Sequence, residues 1–341
     1  CKLLTALLVF IIILSNGVNR CFSQDIHFSQ FYFSPLNLNP ATAGAFNGDF
    51  RLINNYKDQW RSVTFPYKTL SVSLDMPFYK EEITDGALGF GIQFYNDRAG
   101  DLGFTTNQLN ISLSANKSLN DNHNISVGLQ GGYARRSIDF TKLRSINQFD
   151  GIEYHPDWLT GESSTLENFS YGDFAAGILW NFTPDKSFKI NTGAAISHFN
   201  KPPQSFYDVK ERSNFKLILH GRGEITLKNS AYFIPNILFL KQGPSNEINA
   251  GALVRFVLDD GSGSSGNIKG KAFSIGGNYR FDDAVIIVTV LELGSLKIGM
   301  SYDVNVSGLD NVSMGKGGFE ISITLTSPNP FENYISTPKF L

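Results

Sequence analysis

Two sets of polar residues in this chain have types and spacing that could support chemistry. His155 and Asp157 are separated by one proline, and a histidine beside a carboxylate can bind a metal ion or transfer a proton. The proline and the lack of a third nearby ligand in the sequence favour a polar surface loop instead. His220, Arg222 and Glu224 lie two residues apart, so a β-strand would place all three on one face, where a hydrolase could use them.

Neither set belongs to a known catalytic motif. No G-x-S-x-G nucleophile turn accompanies these residues. Asp259–Gly266 is rich in Gly and Ser, but it lacks the Gly-Lys-Ser/Thr ending of a phosphate-binding loop, so a mobile turn is the better interpretation. Because function must be argued from a site and none assembles, the sequence predicts no enzymatic activity, no cofactor and no metal site.

The elements that would position these residues are β-strands with one apolar face. Every second residue of 295–304 and of 317–326 is apolar, and the residues between are small, polar or charged. A strand turns successive side chains to opposite faces, so each segment has an apolar and a polar side. The pattern recurs along most of the chain and predicts fourteen strands, at 49–56, 67–76, 86–96, 105–117, 123–137, 171–182, 188–199, 213–228, 231–240, 246–258, 270–281, 284–292, 295–304 and 317–326.

Strand length separates a membrane barrel from a soluble β-sandwich. Sandwich strands usually have about 5–6 residues, whereas a tilted membrane strand needs about 9–11. The segments 105–117, 123–137 and 213–228 are too long for a sandwich. The 29 Phe, 13 Tyr and 32 Gly suit interfacial aromatic belts and curved strands. The sequence therefore predicts an all-β protein, a transmembrane antiparallel β-barrel in an outer membrane, with lipid outside and a polar lumen.

The alternation also assigns side chains to the two faces of the barrel wall. The residues expected to face lipid are Leu217, Leu219, Ile298, Met300, Ile321 and Ile323. The polar residues expected in the lumen are His220, Arg222, Glu224, Lys297, Asp303 and Glu320. Two places break the pattern, since Ile218 is apolar on the polar side and Val285–Val288 is apolar on both sides. Something must therefore cover the inner face of 284–292.

The start of the chain resembles a secretory leader. Leu3–Leu14 is a largely apolar run, too short for a spanning helix of roughly 20 residues, and it suits the core of a signal peptide. We expect cleavage after Ser23, which makes residues 1–23 the signal peptide and directs export to the bacterial outer membrane. A lipoprotein modified at Cys21 is the lower-ranked alternative, because the residues before it form a poor lipobox.

Removal of this leader would change the cysteine content and the charge of the protein. Both cysteines, Cys1 and Cys21, lie in it, so the mature chain would have no thiol or disulfide. The leader also contains Lys2 and Arg20 but no acidic residue, so the formal charge would go from −2 to −4, with 27 basic against 31 acidic residues. Nothing indicates the basic face that a nucleic-acid partner needs. The chain begins without a methionine, and we expect that its start is clipped.

The connections between the predicted strands give the barrel a direction. The longest, near 138–170, is expected to be extracellular, because bacterial barrels have long loops outside and short periplasmic turns. Thr183–Ser187 and Lys228–Ser230 are tight turns on the opposite side. However, Asp259–Gly266 is long on the periplasmic side and Phe281–Asp283 is tight on the extracellular side. Either a strand is miscounted or the C-terminal half departs from the rule.

Residues 24–47 do not alternate. They contain five aromatic rings and two prolines, which oppose a sheet ladder, and they are too apolar to form a solvated tail. We therefore expect this N-terminal segment to cover or enter the periplasmic mouth of the barrel. The barrel itself would occupy 48–326, and a C-terminal tail would follow at 327–341.

Several stretches of the chain resemble one protein family. The N-terminal block is similar to the opening of the PorP/SprF family of Bacteroidetes outer-membrane proteins, and its matching parts are Asp25–Tyr32, Ser34–Leu36, Leu38–Ala41 and Gly44. Weaker matches follow at Tyr56–Trp60, Gln242–Pro244, Glu247, Asn249, Gly251, Tyr279–Ala284, Gly299–Val304 and Gly318–Ser322. The resemblance covers nearly the whole mature chain. The tail at 327–341 departs from it, because the family is expected to end sooner.

The resemblance implies a role in the type IX secretion system and brings no catalytic residues. Some members accompany the export of surface adhesins, including those for gliding motility. The expected partners are therefore outer-membrane lipid, type IX secretion components and a secreted surface protein or adhesin. The residues expected to contact a partner or the lumen are His27, Phe28, Gln30, Phe31, Tyr32, Pro35, Asn39, Pro40, Gly44, Gln59 and Trp60. The alternative function is a general porin or solute channel, against which the apolar segment 24–47 argues because it could occlude the lumen.

Overall fold

The chain folds into one closed antiparallel β-barrel. The computed structural model describes residues 25–327, except 62–64, 80–84, 162–166, 186, 207–210, 228–229, 260–269 and 309–313. Over these ranges fourteen strands pair with their neighbours in sequence, and the first pairs with the last, which confirms the predicted fold. The strands are β1 Arg51–Gln59, β2 Tyr67–Phe78, β3 Gly86–Ala99, β4 Phe104–Ser118, β5 His123–Ser137, β6 Asn168–Asp185, β7 Phe188–Ser197, β8 Lys216–Thr226, β9 Ala231–Gln242, β10 Ser245–Asp259, β11 Lys271–Arg280, β12 Ala284–Leu293, β13 Leu296–Asn305 and β14 Lys316–Thr326. No helix in the described part of the chain is long and apolar enough to span a membrane.

The strand ends agree with the predicted ones to within a few residues. The strand predicted at 213–228 begins only at Lys216. Ser213 N donates a hydrogen bond to Pro202 O, so the chain before Lys216 is tied to the preceding connection instead of the strand ladder. Alternation alone cannot detect such a tie, because it reports only the local pattern.

The barrel has two ends, which we call the short-turn mouth and the long-loop mouth. β1 begins and β14 ends at the short-turn mouth, and the two longest connections, 138–167 and 198–215, lie at the long-loop mouth. The tight connection 281–283 also lies at the long-loop mouth. β10 ends and β11 begins at the other mouth, and residues 260–269 between them lie outside the described residues. Because the strand count is fourteen, this departure from the loop-length rule does not come from a miscounted strand.

The two faces of the wall differ in burial. The outward side chains of Leu219 and Met300 are 43% and 45% exposed, as expected where a barrel meets lipid. The inward side chains of Asp303 and Glu320 are each only 1% exposed. Burial to this degree means that other protein groups, and not lumen water, cover these side chains.

The N-terminal segment fills the lumen, and we call its described residues, 25–48, the plug. It contains a 3₁₀ helix at Phe31–Phe33, a short helix α1 at Pro35–Leu38 and a second 3₁₀ helix at Pro40–Thr42. Both prolines stand at the start of a helical turn, where their fixed φ and missing N–H are tolerated. The Asn39 side chain caps the last turn by accepting a hydrogen bond from Ala41 N at 2.9 Å.

Candidate functional site

The plug crosses the barrel from one mouth to the other. Asp25 lies at the long-loop mouth, where Gln242 Nε2 at the end of β9 donates to its carboxylate at 2.9 Å and where it also contacts His198, just after β7. Gly44 lies near the short-turn mouth, where its N–H donates to Asp75 Oδ2 in β2 at 2.9 Å. The residues between them therefore occupy the length of the lumen.

Two apolar clusters attach the middle of the plug to the inner wall. Phe33 packs against five aliphatic side chains of the wall, which are Ile234, Leu253, Ile286, Val288 and Val290. Phe31 and Leu38 form a second cluster with Ala195, Ile218 and Leu238. These contacts account for both breaks in the alternation, because Ile218 and the inner face of β12 are apolar where the plug covers them.

Buried carboxyl groups hold the plug nearer to the long-loop mouth. Glu320 accepts hydrogen bonds from Ser29 N at 2.8 Å and from Gln30 N at 3.0 Å. Ser29 Oγ and Arg280 Nη2 each donate to the Asp303 carboxylate at 2.8 Å. Charge-assisted hydrogen bonds are stronger than neutral ones, and losing one partner of a buried pair leaves the other unsatisfied. The network therefore fixes the position of the plug backbone.

Glycines let the wall approach the plug closely around Asn39. Its Nδ2 donates to Ile178 O in β6 at 2.8 Å. A Cβ added to Gly177 would lie 2.1 Å from Asn39 Oδ1, and one added to Gly128 would lie 2.4 Å from Ala41 N. Neither position has room for a larger side chain unless the plug moves.

An ion-pair cluster, which we call the mouth latch, holds the first described residue of the plug. His198 Nδ1 lies 2.7 Å from Asp173 Oδ1 in β6, and its Nε2 contacts Asp25. Burial alone would lower the pKa of His198, but the two carboxylates outweigh it and raise this pKa to about 9. Burial alone would raise the pKa of Asp25, but nearby cations, His198 above all and Arg136 at 3.8 Å, lower it below its usual value. Both members of the His198–Asp25 pair are therefore charged at neutral pH.

Most of the predicted contact residues come together in the lumen. Those buried there are Phe28, Gln30, Phe31, Pro35, Asn39, Pro40 and Gly44. Tyr32 is half-buried, and the guanidinium of Arg222 lies over its ring at 4.8 Å from the centroid. His27 Nδ1 lies 3.8 Å from the carboxylate of Glu247.

Gln59 and Trp60 lie apart from this group, at the long-loop end of β1. Trp60 packs edge-on against Tyr67 of β2, with ring centroids 4.9 Å apart. This contact joins the first two strands at the rim of the barrel. Gln59 and Trp60 therefore belong to the barrel wall and not to the group of residues in the lumen.

The polar residues predicted for the lumen do not form a single site. Four of them touch the plug at different heights, and these are His220, Arg222, Asp303 and Glu320. Glu224 pairs with Lys189 at 3.2 Å, and Lys297 lies 3.6 Å from Glu292, both near the short-turn mouth. These six residues make separate contacts, either between the wall and the plug or within the wall, and do not form a reaction centre.

His155 has a structural environment in the connection between β5 and β6. Its Nε2 lies 2.9 Å from Asp150 Oδ2, and its ring stacks on Trp158 with centroids 4.3 Å apart. Among the described residues, no group of three or more His, Cys, Asp or Glu side chains is placed to hold a metal ion. These contacts shape the loop.

The sequence analysis missed the mouth latch and the inward lysine of β1. Lys57 Nζ donates to His27 O at 2.9 Å, and its inward position could have been found from the alternation of β1. Asp25 and His198 are 173 residues apart in the chain, and no local pattern links them.

Comparison with solved structures finds other β-barrels at low similarity. The CymD monoaromatic hydrocarbon channel has a TM-score of 0.45 and 10% identity, with 87% of this chain and 93% of that chain covered. The translocator domain of the autotransporter NalP from Neisseria meningitidis has a TM-score of 0.45 and 9% identity, with 88% and 96% covered. At these scores the likeness carries no functional argument. A search of curated proteins finds no significant sequence match.

One family model matches almost all of the described chain. It is that of the type IX secretion system membrane protein PorP/SprF, and it aligns with residues 21–325, which include the plug and, except for Thr326 at the end of β14, all fourteen strands. The chain therefore belongs to the PorP/SprF family of type IX secretion system membrane proteins.

Proposed function

We propose that this protein is a closed, non-enzymatic outer-membrane barrel of the type IX secretion system that docks or anchors a secreted surface protein. The observation that carries the proposal is the filled lumen, where the plug residues Gln30, Asn39 and Ala41 are each 0% exposed. In an open channel, water would reach the inner wall and whatever lies beside it. A barrel closed in this way suits a platform better than a conduit.

The long-loop mouth is the proposed docking side. Bacterial barrels present their long loops to the outside of the cell, and the connections 138–167 and 198–215 both lie at this mouth. A secreted adhesin, such as one used in gliding motility, would meet the protein there. Lipid and other type IX secretion components would contact the outer wall. We also propose that the protein is exported by a signal peptide that is cleaved after Ser23. Residues 1–24 lie outside the described part of the chain.

Deletion of the connection 138–167 tests the docking role. The deletion should release a secreted surface protein from the cell while the barrel still inserts into the outer membrane, as measured by surface proteomics and by the folded state of the barrel. The control is a shortening of the connection 260–270, which should leave surface retention unchanged because the strands that it joins, β10 and β11, meet at the short-turn mouth. Unchanged export and surface retention after deletion of 138–167 would contradict the proposal. The porin alternative would then be the better explanation, provided that the intact protein conducts ions.

A further inference from the structure

Residues 138–161, in the connection between β5 and β6, form a self-packed loop at the long-loop mouth. Gln148 is 2% exposed, and its Nε2 donates to Pro156 O at 3.2 Å and to Trp158 O at 2.9 Å. Its Oε1 accepts a hydrogen bond from Tyr154 Oη at 3.1 Å. Asp139 N donates to Leu102 O at 3.0 Å, which ties the loop to the neighbouring connection. A loop ordered by its own contacts loses little conformational freedom when a partner binds.

This loop holds three large aliphatic side chains in water. Ile146, Ile152 and Leu159 are 80%, 92% and 89% exposed. Asn147 Nδ2 donates to Thr160 O at 3.0 Å, so Ile146 and Leu159 stand on adjoining segments. Single exposed aliphatics are ordinary, but three on one ordered loop at the mouth of a barrel are typical of an interaction surface.

The charged residues beside these side chains indicate which kind of partner can bind to the loop. Residues 138–161 contain four acidic and two basic residues. Asp139 is neutralised by Lys142 at 2.7 Å, and Asp150 faces His155. Glu153 and Asp157 are exposed next to Ile152 and to the Trp158–Leu159 pair. Contact with lipid would remove water from these two carboxylates without pairing their charges, which is unfavourable. A basic protein surface would instead form ion pairs with them.

We propose that Ile146, Ile152 and Leu159, with Glu153 and Asp157 beside them, form a docking surface for a segment of the secreted protein that carries both basic and apolar side chains. This inference rests on the proposed function and deepens it, because it names the residues and the chemistry of the partner. The aliphatic side chains provide the contact area, and the two carboxylates favour a basic partner over acidic competitors.

Site-directed crosslinking tests this surface in intact cells. Ile152→Cys and Leu159→Cys are labelled from outside with a membrane-impermeant maleimide–benzophenone, and the crosslinked peptides are identified by mass spectrometry. The matched control is Phe281→Cys, which is 52% exposed and lies at the same mouth but outside the loop. We expect crosslinks from 152 and 159, but not from 281, to a secreted protein through a peptide with net positive charge and apolar residues.

Charge reversal provides the second measurement. Glu153→Lys combined with Asp157→Lys should lower the crosslinking yield several-fold, as should salt near 1 M, where the screening length falls to about 3 Å. Crosslinks to lipid alone, to a second copy of this chain or to acidic peptides would overturn the inference, and so would the absence of any crosslink. If such a result came with release of the secreted protein on deleting 138–167, only the chemistry assigned to this surface would be wrong. If the deletion also had no effect, the docking function itself would be wrong.

Discussion

Replacing Gly128 by valine should loosen the plug without weakening the barrel. A Cβ at this inward position of β5 would lie 2.4 Å from Ala41 N and from Pro40 C, which are backbone atoms of the plug. Rotation of a side chain cannot relieve such an overlap. Overpacking of this kind costs about 1–3 kcal/mol, and we expect the upper end because the backbone must move. A cost of about 3 kcal/mol corresponds to a shift of roughly 100-fold in the docking equilibrium.

Gly131→Val in the same strand is the matched control. This residue faces outward, and a Cβ there would lie 3.5 Å from the ring of Phe174, an ordinary van der Waals contact. Neither Gly128 nor Gly131 has a positive φ, so valine fits both backbones. Valine also suits a strand better than glycine does. Only the contact with the plug separates the two variants.

Hydrogen exchange of the plug amides is the appropriate assay. Exchange from residues 29–43 should be roughly 100-fold faster in Gly128→Val than in the wild type, and unchanged in Gly131→Val. The amides of the barrel strands should exchange at the same rate in all three proteins. Equal exchange from the plug in both variants would refute the close approach of wall and plug on which this reasoning depends.

Three further predictions concern the mouth, the wall and the path of the plug. Since the pKa of His198 is raised from 6.5 to about 9, its stabilisation of the mouth latch should be complete below about pH 6.5 and lost as the pH rises through about 9. The loss should appear as lower amide protection near the start of the plug, measured against the intrinsic exchange rate at each pH. Met300→Arg, in the middle of the lipid face, should cost roughly 2–4 kcal/mol in folding into vesicles, whereas Ile152→Arg in the loop should cost almost nothing; equal costs would contradict the assigned faces. Ile26→Cys should react with an impermeant maleimide on intact cells, and Asn47→Cys should react only after the outer membrane is permeabilised. The opposite result would mean that residue 47 faces the outside of the cell and residue 26 the periplasm.

The barrel could be predicted from the sequence because alternation is a local property of each strand. A strand between lipid and a polar lumen must alternate, so strand number and faces follow from the pattern. The exceptions were informative too. Ile218 and the inner face of β12 marked the wall that Phe31 and Phe33 cover. The pattern indicated a cover for this wall without identifying it.

The path of the plug and the mouth latch could not be predicted in this way. The prolines and rings of residues 24–47 indicate burial, but a segment without periodicity carries no register against the wall. Asp25 meets His198 only because β7 ends at the same mouth where the plug begins. Such contacts depend on closure of the barrel, which is a property of the whole chain.

The conductance of the purified protein in a planar bilayer tests the central claim most directly. The full-length protein should show no porin-like current steps, because the plug occupies the lumen between the two mouths. The variant lacking residues 25–47 should show them, since the fourteen-stranded wall then encloses water. Porin-like steps from the full-length protein, equal to those of the deletion variant, would contradict a closed barrel and favour a solute channel.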